Sequence, residues 1–373
     1  MERADFLIIG GGVAGLSAAA RLARHGRVVL LEAEEALGYH SSGRSVSFSH
    51  YGIGNAAVRG LTNWSRPFFE APPEGFSPVP LARTYPSLYF AWPDALPALE
   101  DLHRAMAAFT DAIREVDAAA MAALCPPLRT GDRTAVRGLL DPTGLKLDAD
   151  AFLQSLARQL RAAGGEIRSG WRVTAVDRKG EDWVVHSAAG AVSAPVLINA
   201  AGAWADAFAA LAGVAPLGLQ PKRRTIIAVD PPAGADPSNW PFAHSVAGDF
   251  YMLPEAGRIL VSPVDEIDDV AGDAQPEDYD IAFAADRLEH YTDIEVARIA
   301  HRWAGLRTFT PGRVPVAGYA VDAPGFFWLV GQGGYGFQTA PAMAAIAESL
   351  IAELDWPEGL AELGVGPDRI LPA

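Results

Sequence analysis

The chain has 373 residues, half of them hydrophobic and 20% charged, which excludes wholesale disorder and fits two or three domains at about 150 residues each. Lys and Arg total 30 against 45 Asp and Glu, a net charge of −15, so a nucleic-acid reader or a polybasic membrane binder is excluded. The single cysteine, Cys125, rules out a disulfide framework and a Cys-based zinc cluster.

The chain opens Met1-Glu2-Arg3-Ala4-Asp5 without a basic start or a long apolar core, so no signal peptide is expected. Phe6-Leu7-Ile8-Ile9 reads as a buried strand, Val13 to Ala23 as a helix and Val28 to Leu31 as a second buried strand. This is a βαβ opening of about 30 residues. From about residue 40 to 140 glycines, prolines and aromatics break the pattern, with helices expected over 98–108 and 111–122. A stronger helix spans 147–163, then strands over 167–176, 183–185 and 194–199. Residues 220–330 are mostly strand-like, with helices expected over 279–290 and 293–300. A last strand, 326–330, meets Gly331-Gln332-Gly333-Gly334-Tyr335-Gly336 and a helix over 338–354. The most weakly charged stretch, 194–219, holds Asn199, Asp206, three glycines and two prolines, a poor membrane span. A cytoplasmic protein with no integral membrane segment is expected.

Gly10, Gly12 and Gly15 form G-x-G-x-x-G between a strand and a helix. The first glycine permits the turn, the second lets the backbone approach a pyrophosphate, and the third lets helix and strand pack. Val13 and Ala14 open the helix, whose free N–H groups and dipole favour phosphate. Glu32 stands 22 residues after Gly10, followed by Ala33, where an acid can accept from a ribose diol. The fingerprint does not separate FAD from NAD, and the carboxylate argues against NADP. Two later segments favour FAD. One is the strand end Asn199-Ala200-Ala201-Gly202-Ala203-Trp204. The other is the Gly-rich loop before the last helix, whose N–H groups and dipole can stabilise a reduced flavin.

The chain resembles the D-amino acid oxidase and glycine oxidase group of FAD enzymes, with D-arginine dehydrogenases as the nearest pattern. The resemblance rests on Gly38 to Ser45, Asp141 to Gly144, Asn199 to Trp204, Leu219 to Arg224, Trp303 to Arg307 and Gln332 to Gly336. It implies an α/β fold in which a Rossmann-type FAD-binding domain is joined to a substrate domain on a mixed or antiparallel sheet. The expected boundaries are 1–45, 141–210 and 305–373 for the FAD domain, and 46–140 and 211–304 for the substrate domain. It implies non-covalent FAD, since Cys125 does not match a flavin-linking cysteine, and a small-molecule amino acid substrate with oxygen or a quinone-type electron acceptor. No metal site is expected, because the histidines lack ligand spacing.

The resemblance also implies site residues. Arg223 and Arg307 match arginines that hold the substrate carboxylate, Tyr251 a phenolic donor to it, and Gly334 a carbonyl facing the amine. A bidentate guanidinium suits that task. Ser41, Ser42, Arg44, Ser45, Val173, Ala201, Gly202 and Trp204 match cofactor contacts, as do Gly333, Tyr335, Gly336, Phe337, Gln338 and Thr339. A pocket glutamate of the D-arginine enzymes aligns with Ser87, and two lid residues align with Phe48 and Ile53, with His50 and Tyr51 close by. Glu70 and Glu74 are the acids that could replace the missing glutamate. Losing it costs a cationic tail a charge-assisted bond of about 1.5–3 kcal/mol, so neutral or apolar side chains are expected. The expected reaction is hydride transfer from Cα of a D-amino acid to flavin N5, then imine hydrolysis to a 2-oxo acid and ammonia. Three alternatives stay open: a secondary-amine oxidase for sarcosine- or proline-like substrates, an NAD dehydrogenase, and a flavin-binding electron-transfer subunit.

Overall fold

The computed structural model describes residues 2–132 and 134–372. The apolar runs Phe6–Ile9, Val28–Leu31, Val196–Asn199 and Phe326–Val330 form the centre of a six-stranded sheet. They pair in parallel, with Phe6 beside Val28 on one side and Val196 on the other. Glu166–Arg168 and the antiparallel strand Val316–Tyr319 form the edges. A parallel strand covered on both faces needs an unbroken apolar run. Here the helices Val13–Leu22, Ala149–Ala162 and Gly336–Ile351 cover one face over Ile8, Leu30, Ile198 and Phe327. A four-stranded sheet covers the other, setting Trp183, Val185 and Val192 against Leu7, Val29 and Leu197.

A nine-stranded sheet forms the other half of the architecture. Its strands Ser87–Ala91 and Phe242–Ser245 pair in parallel, while Gln220–Val229 pairs antiparallel with Ile299–Phe309, so the sheet is mixed. One face packs Leu88, Phe90, Ile227 and Val261 against Ile281, Ala284 and Leu288 of the helix Asp278–Tyr291. The opposite face carries Tyr89, Phe242, His244 and Tyr251, and faces a cavity shared with the first sheet. The α/β fold with mixed sheets agrees with the expected class.

Some elements differ from expectation. Residues 111–122 are not one helix: Arg114–Asp117 is a strand paired with Arg137–Asp141, and a helix, Ala118–Leu124, starts where Asp117 caps the Ala120 N–H at 2.8 Å. Residues 293–300 form no helix, and Ile299 already belongs to the long strand held by its partner Gln220–Val229. That strand runs from Ile299 to Phe309. The helix Ala56–Glu70 was not foreseen, because Gly60, Thr62, Asn63, Ser65 and Pro67 weaken its local signal. Asn55 caps it through the Val58 N–H at 3.1 Å, and it packs on Gly336–Ile351. Among the described residues no helix is long and apolar enough to cross a membrane.

Candidate active site

A cavity of about 1080 Å³ runs between the two large sheets, lined from Ile9 and Gly10 at one end to Tyr89 and His244 at the other. That exceeds the ~300–1,000 Å³ of an ordinary ligand pocket and suits an elongated cofactor plus a small substrate.

The first end is built mainly from backbone. Gly10 has φ +106°, and an added Cβ would strike the Ala200 carbonyl. Gly15 does not line the cavity; a Cβ there would strike the Gly10 carbonyl, so this glycine serves helix–strand packing. Gly12 lines the cavity, and a Cβ there would meet only Ser42 Oγ. Ser42 Oγ accepts the Val13 N–H at 3.0 Å, and the next first-turn N–H groups have no intrahelical acceptor. Glu32 is buried, with one oxygen accepting the Gly11 N–H at 2.6 Å and the other the Glu34 N–H at 2.8 Å. It thereby holds the glycine turn in place. The helix Gly336–Ile351 directs a second N-terminus at the cavity, without a side-chain cap.

The other end is built from side chains. Arg224 and Arg307 come from the paired strands Gln220–Val229 and Ile299–Phe309, and both line the cavity with Tyr251. They converge on one carboxylate: Glu266 Oε1 accepts from Arg307 at 3.3 Å and from Arg224 at 3.5 Å. Arg313 holds both Glu266 oxygens at 2.9 Å. Burial drives the Arg307 guanidinium down to about 9, with the Arg224 charge adding to the effect. Burial also lowers Arg224 and raises the Tyr251 phenol, so two desolvated cations and a protonated phenol share one corner. A side chain at Gly334 would displace the Arg307 guanidinium, because an added Cβ would collide with it.

Beyond Tyr251 the wall is aromatic. His244 lies 5.9 Å from Tyr251 and stacks on Tyr89 at 4.5 Å between ring centroids. Tyr89 OH and His50 Nδ1 are 3.0 Å apart. Burial, and then the Arg59 charge, lower His50 to about 3, and burial holds His244 well below its usual range. Both imidazoles are neutral at physiological pH.

Residues 5–350 match the family of FAD dependent oxidoreductases designated DAO. The chain belongs to that family. Among solved structures, the fold is similar to glycine oxidase from Geobacillus kaustophilus, with a TM-score of 0.85 and 20% identity over 98% of this chain and 99% of that one. It is also similar to iminodiacetate oxidase from Chelativorans sp. BNC1, with a TM-score of 0.78 and 20% identity over 98% of each chain. L-proline dehydrogenase from P. horikoshii gives a TM-score of 0.82 and 20% identity over 95% and 96% of the two chains. A curated relative, the hydrogen cyanide synthase subunit HcnC of Pseudomonas aeruginosa, is 26% identical over 220 residues. That match covers 57% of this chain and about half (49%) of the length of that subunit.

As an FAD dependent oxidoreductase, the chain has a cavity whose first end fits its cofactor. Gly12 leaves room for a pyrophosphate, and Gln332 Nε2 is a buried donor on the wall with no partner among the described residues. Gly10, Gly12, Val13, Ala14, Glu32, Ala33, Ser41, Ser42, Arg44 and Ser45 all line the cavity, as do Val173, Ala201, Gly202, Trp204, Gly333, Tyr335, Gly336, Phe337 and Gln338. Arg44 sends its guanidinium to the Ala274 and Ala304 carbonyls at 2.8 and 3.0 Å, and Ser41 Oγ donates to the Leu306 carbonyl at 2.5 Å. Thr339 does not line the cavity; it is buried, and its hydroxyl donates to the Tyr335 carbonyl at 2.9 Å inside the last helix. Cys125 is buried among Leu88, Phe90 and Met121, away from the cavity, and burial pushes its thiol up to about 12.

At the substrate end this FAD dependent oxidoreductase corrects two expectations. Arg223 is not in the cavity. It points to the opposite face of its strand, where Asp280 accepts at 3.1 Å and Asp269 at 3.2 Å; Arg224 takes the cavity position. Successive strand residues face opposite sides, so a shift of one residue exchanges a cavity arginine for an ion-paired one. Ser87 is fully buried off the cavity, and Tyr89, two residues on, lines it. The side-chain preference argued from Ser87 therefore loses its basis. Phe48, His50 and Ile53 do line the cavity, while Glu70 pairs with Arg66 at 2.7 Å. Sequence reading missed Arg224, Glu266, His244 and Arg59. Strict alternation from Ile226, an apolar cavity residue, signals only the first.

Proposed function

We propose that this protein oxidises an amino acid at Cα, with D configuration preferred. The observation that carries this reading is the Arg224–Arg307–Tyr251 corner, already shaped around the carboxylate of Glu266. Two desolvated guanidiniums of one sign are stable only with an anion between them. A substrate carboxylate replaces Glu266 there, with the Tyr251 hydroxyl as an additional donor. Gly334 lines the cavity beside Arg307, and by the motif resemblance its carbonyl accepts from a neutral amine. FAD, when bound, supplies the acceptor of the Cα hydride. The chain's own work is orientation: it fixes carboxylate and amine so that one Cα–H faces the cofactor end of the cavity. The resulting iminium takes up water and leaves as a 2-oxo acid and ammonium. No side-chain base is required, because the amine enters neutral. The preference for D configuration rests on the motif resemblance.

A secondary amine is the second reading. The carboxylate corner is indifferent to substitution at nitrogen, and proteins of this fold include an L-proline dehydrogenase and an iminodiacetate oxidase. Anaerobic titration of the purified yellow protein with paired D- and L-amino acids and N-methyl amino acids separates the two by flavin bleaching. Bleaching by D-amino acids is expected. Bleaching by N-methyl amino acids alone moves the assignment to secondary amines, and bleaching by none contradicts both.

A further inference from the structure

We propose that the far end of the substrate cavity, around Arg59 and His244, is a second anion site, so that the preferred substrate carries a second carboxylate. The inference rests on the amino acid oxidation reading and names its substrate class.

Arg59 stands on the helix Ala56–Glu70, half-buried on the cavity wall. Its Nε donates to the Tyr51 carbonyl at 2.7 Å, and its two Nη groups have no hydrogen-bond partner among the described residues. No carboxylate lies within ion-pair distance of it among those residues, in contrast to Arg223, Arg224, Arg307 and Arg313. The acids on this cavity wall are all engaged elsewhere. Glu32 holds the glycine turn, Glu34 meets His40 and Arg172, Asp101 pairs with Arg104, and Glu266 occupies the arginine corner. A half-buried guanidinium with free donors and no counter-ion suits an anion.

His244 supplies the independent observation. Its side chain is nine-tenths buried, it lines the cavity, and its Nε2 has no hydrogen-bond partner. In the Nε2–H tautomer a neutral imidazole donates to an anion without adding a buried charge. The stacked rings of His244 and Tyr89 run from the Tyr251 corner toward Arg59, whose charge acts on the Tyr89 phenol. One end of the wall therefore takes the α-carboxylate, and the other offers an unspent cation and an unspent donor. A cationic tail is repelled by Arg59, and an apolar tail leaves both groups unsatisfied. A second carboxylate reaches this end either as the side chain of an acidic amino acid or as an N-carboxymethyl group.

The test has two arms on the FAD-loaded protein. In the first, the oxidised flavin spectrum is followed while succinate, glutarate, propionate and butyrate are added. Diacids are expected to bind at least about tenfold more tightly than monoacids, from one charge-assisted contact. The ratio is expected to fall to about one in Arg59→Gln and to recover in part in Arg59→Lys. Equal affinities in the unmodified protein, or an unchanged ratio in Arg59→Gln, overturn the proposal. In the second arm, anaerobic flavin reduction compares D-aspartate, D-glutamate and iminodiacetate with D-asparagine, D-glutamine and sarcosine. Preference for the acidic D-amino acids places the second carboxylate on the side chain; preference for iminodiacetate places it on nitrogen. If neutral substrates reduce the flavin as well as acidic ones, the anion site fails while amino acid oxidation stands. If diacids bind preferentially and no amino acid reduces the flavin, the anion site stands and the oxidation reading fails.

Discussion

The two ends of the cavity are made in different ways. The cofactor end draws on Gly10 to Ala14, Glu32 and the loop before the last helix, and acts mainly through backbone N–H groups and missing side chains. The substrate end is assembled from single side chains on separate strands and loops, and acts through the heads of Arg224, Tyr251, Arg307 and Glu266. A backbone site survives small errors of reading, because a glycine triplet marks its own register. A strand-borne site does not, because one residue of slippage moves a side chain through the sheet. The difference teaches that one end of this cavity is built by shape and the other by charge.

Damage at the two ends should therefore look different. The largest effect is expected from Gly10→Ala. It forces a side chain onto φ +106° and into the Ala200 carbonyl, so the protein should purify largely colourless and with a lowered melting temperature. Flavin content per protein, by absorbance after denaturation, checks this; a fully yellow variant would mean that the turn is not a cofactor cradle. A smaller and more selective loss is expected from Gly334→Ala. The added methyl pushes the Arg307 head aside, so flavin is retained while KM rises by about ten- to a hundredfold. Steady-state kinetics at full flavin occupancy separates that from a loss in kcat alone.

The smallest effect sharpens the neutral character of the aromatic wall. Burial holds His50 near about 3 and His244 well below its usual range, whereas both titrate near ~6.5 in an unfolded chain. As pH falls below that value the unfolded chain takes up protons that the folded one refuses. The stability conferred by the neutral imidazoles is thus complete above ~6.5 and is lost progressively toward lower pH. Urea unfolding at pH 7.5 and 5 should show a smaller drop in His244→Asn than in the unmodified protein. An equal drop would mean that His244 is charged in the folded state.

Much of this plan is legible in the sequence for physical reasons. Phe6–Ile9, Val28–Leu31 and Phe326–Val330 read as buried strands because helices and a second sheet cover both of their faces. The cofactor end is legible because its glycines have no substitutes. Residues 293–300 misled because pairing with Gln220–Val229 overrides local preference. Ala56–Glu70 hid because tertiary packing sustains a helix that carries Gly60 and Pro67. Arg223 and Arg224 differ in the face of the strand they occupy, and the acids on each side, Asp280 and Asp269 against Glu266, hold them there.

That pair also offers the most direct measurement. Oxidised, FAD-loaded protein is titrated with propionate, and the flavin absorbance is followed for Arg223→Ala and Arg224→Ala beside the unmodified chain. A saturable perturbation is expected in the unmodified protein and in Arg223→Ala, whose defect should be one of stability, and it should vanish or weaken at least about tenfold in Arg224→Ala. Retained binding in Arg224→Ala with loss in Arg223→Ala would contradict the placement of the carboxylate corner on the cavity face of this strand.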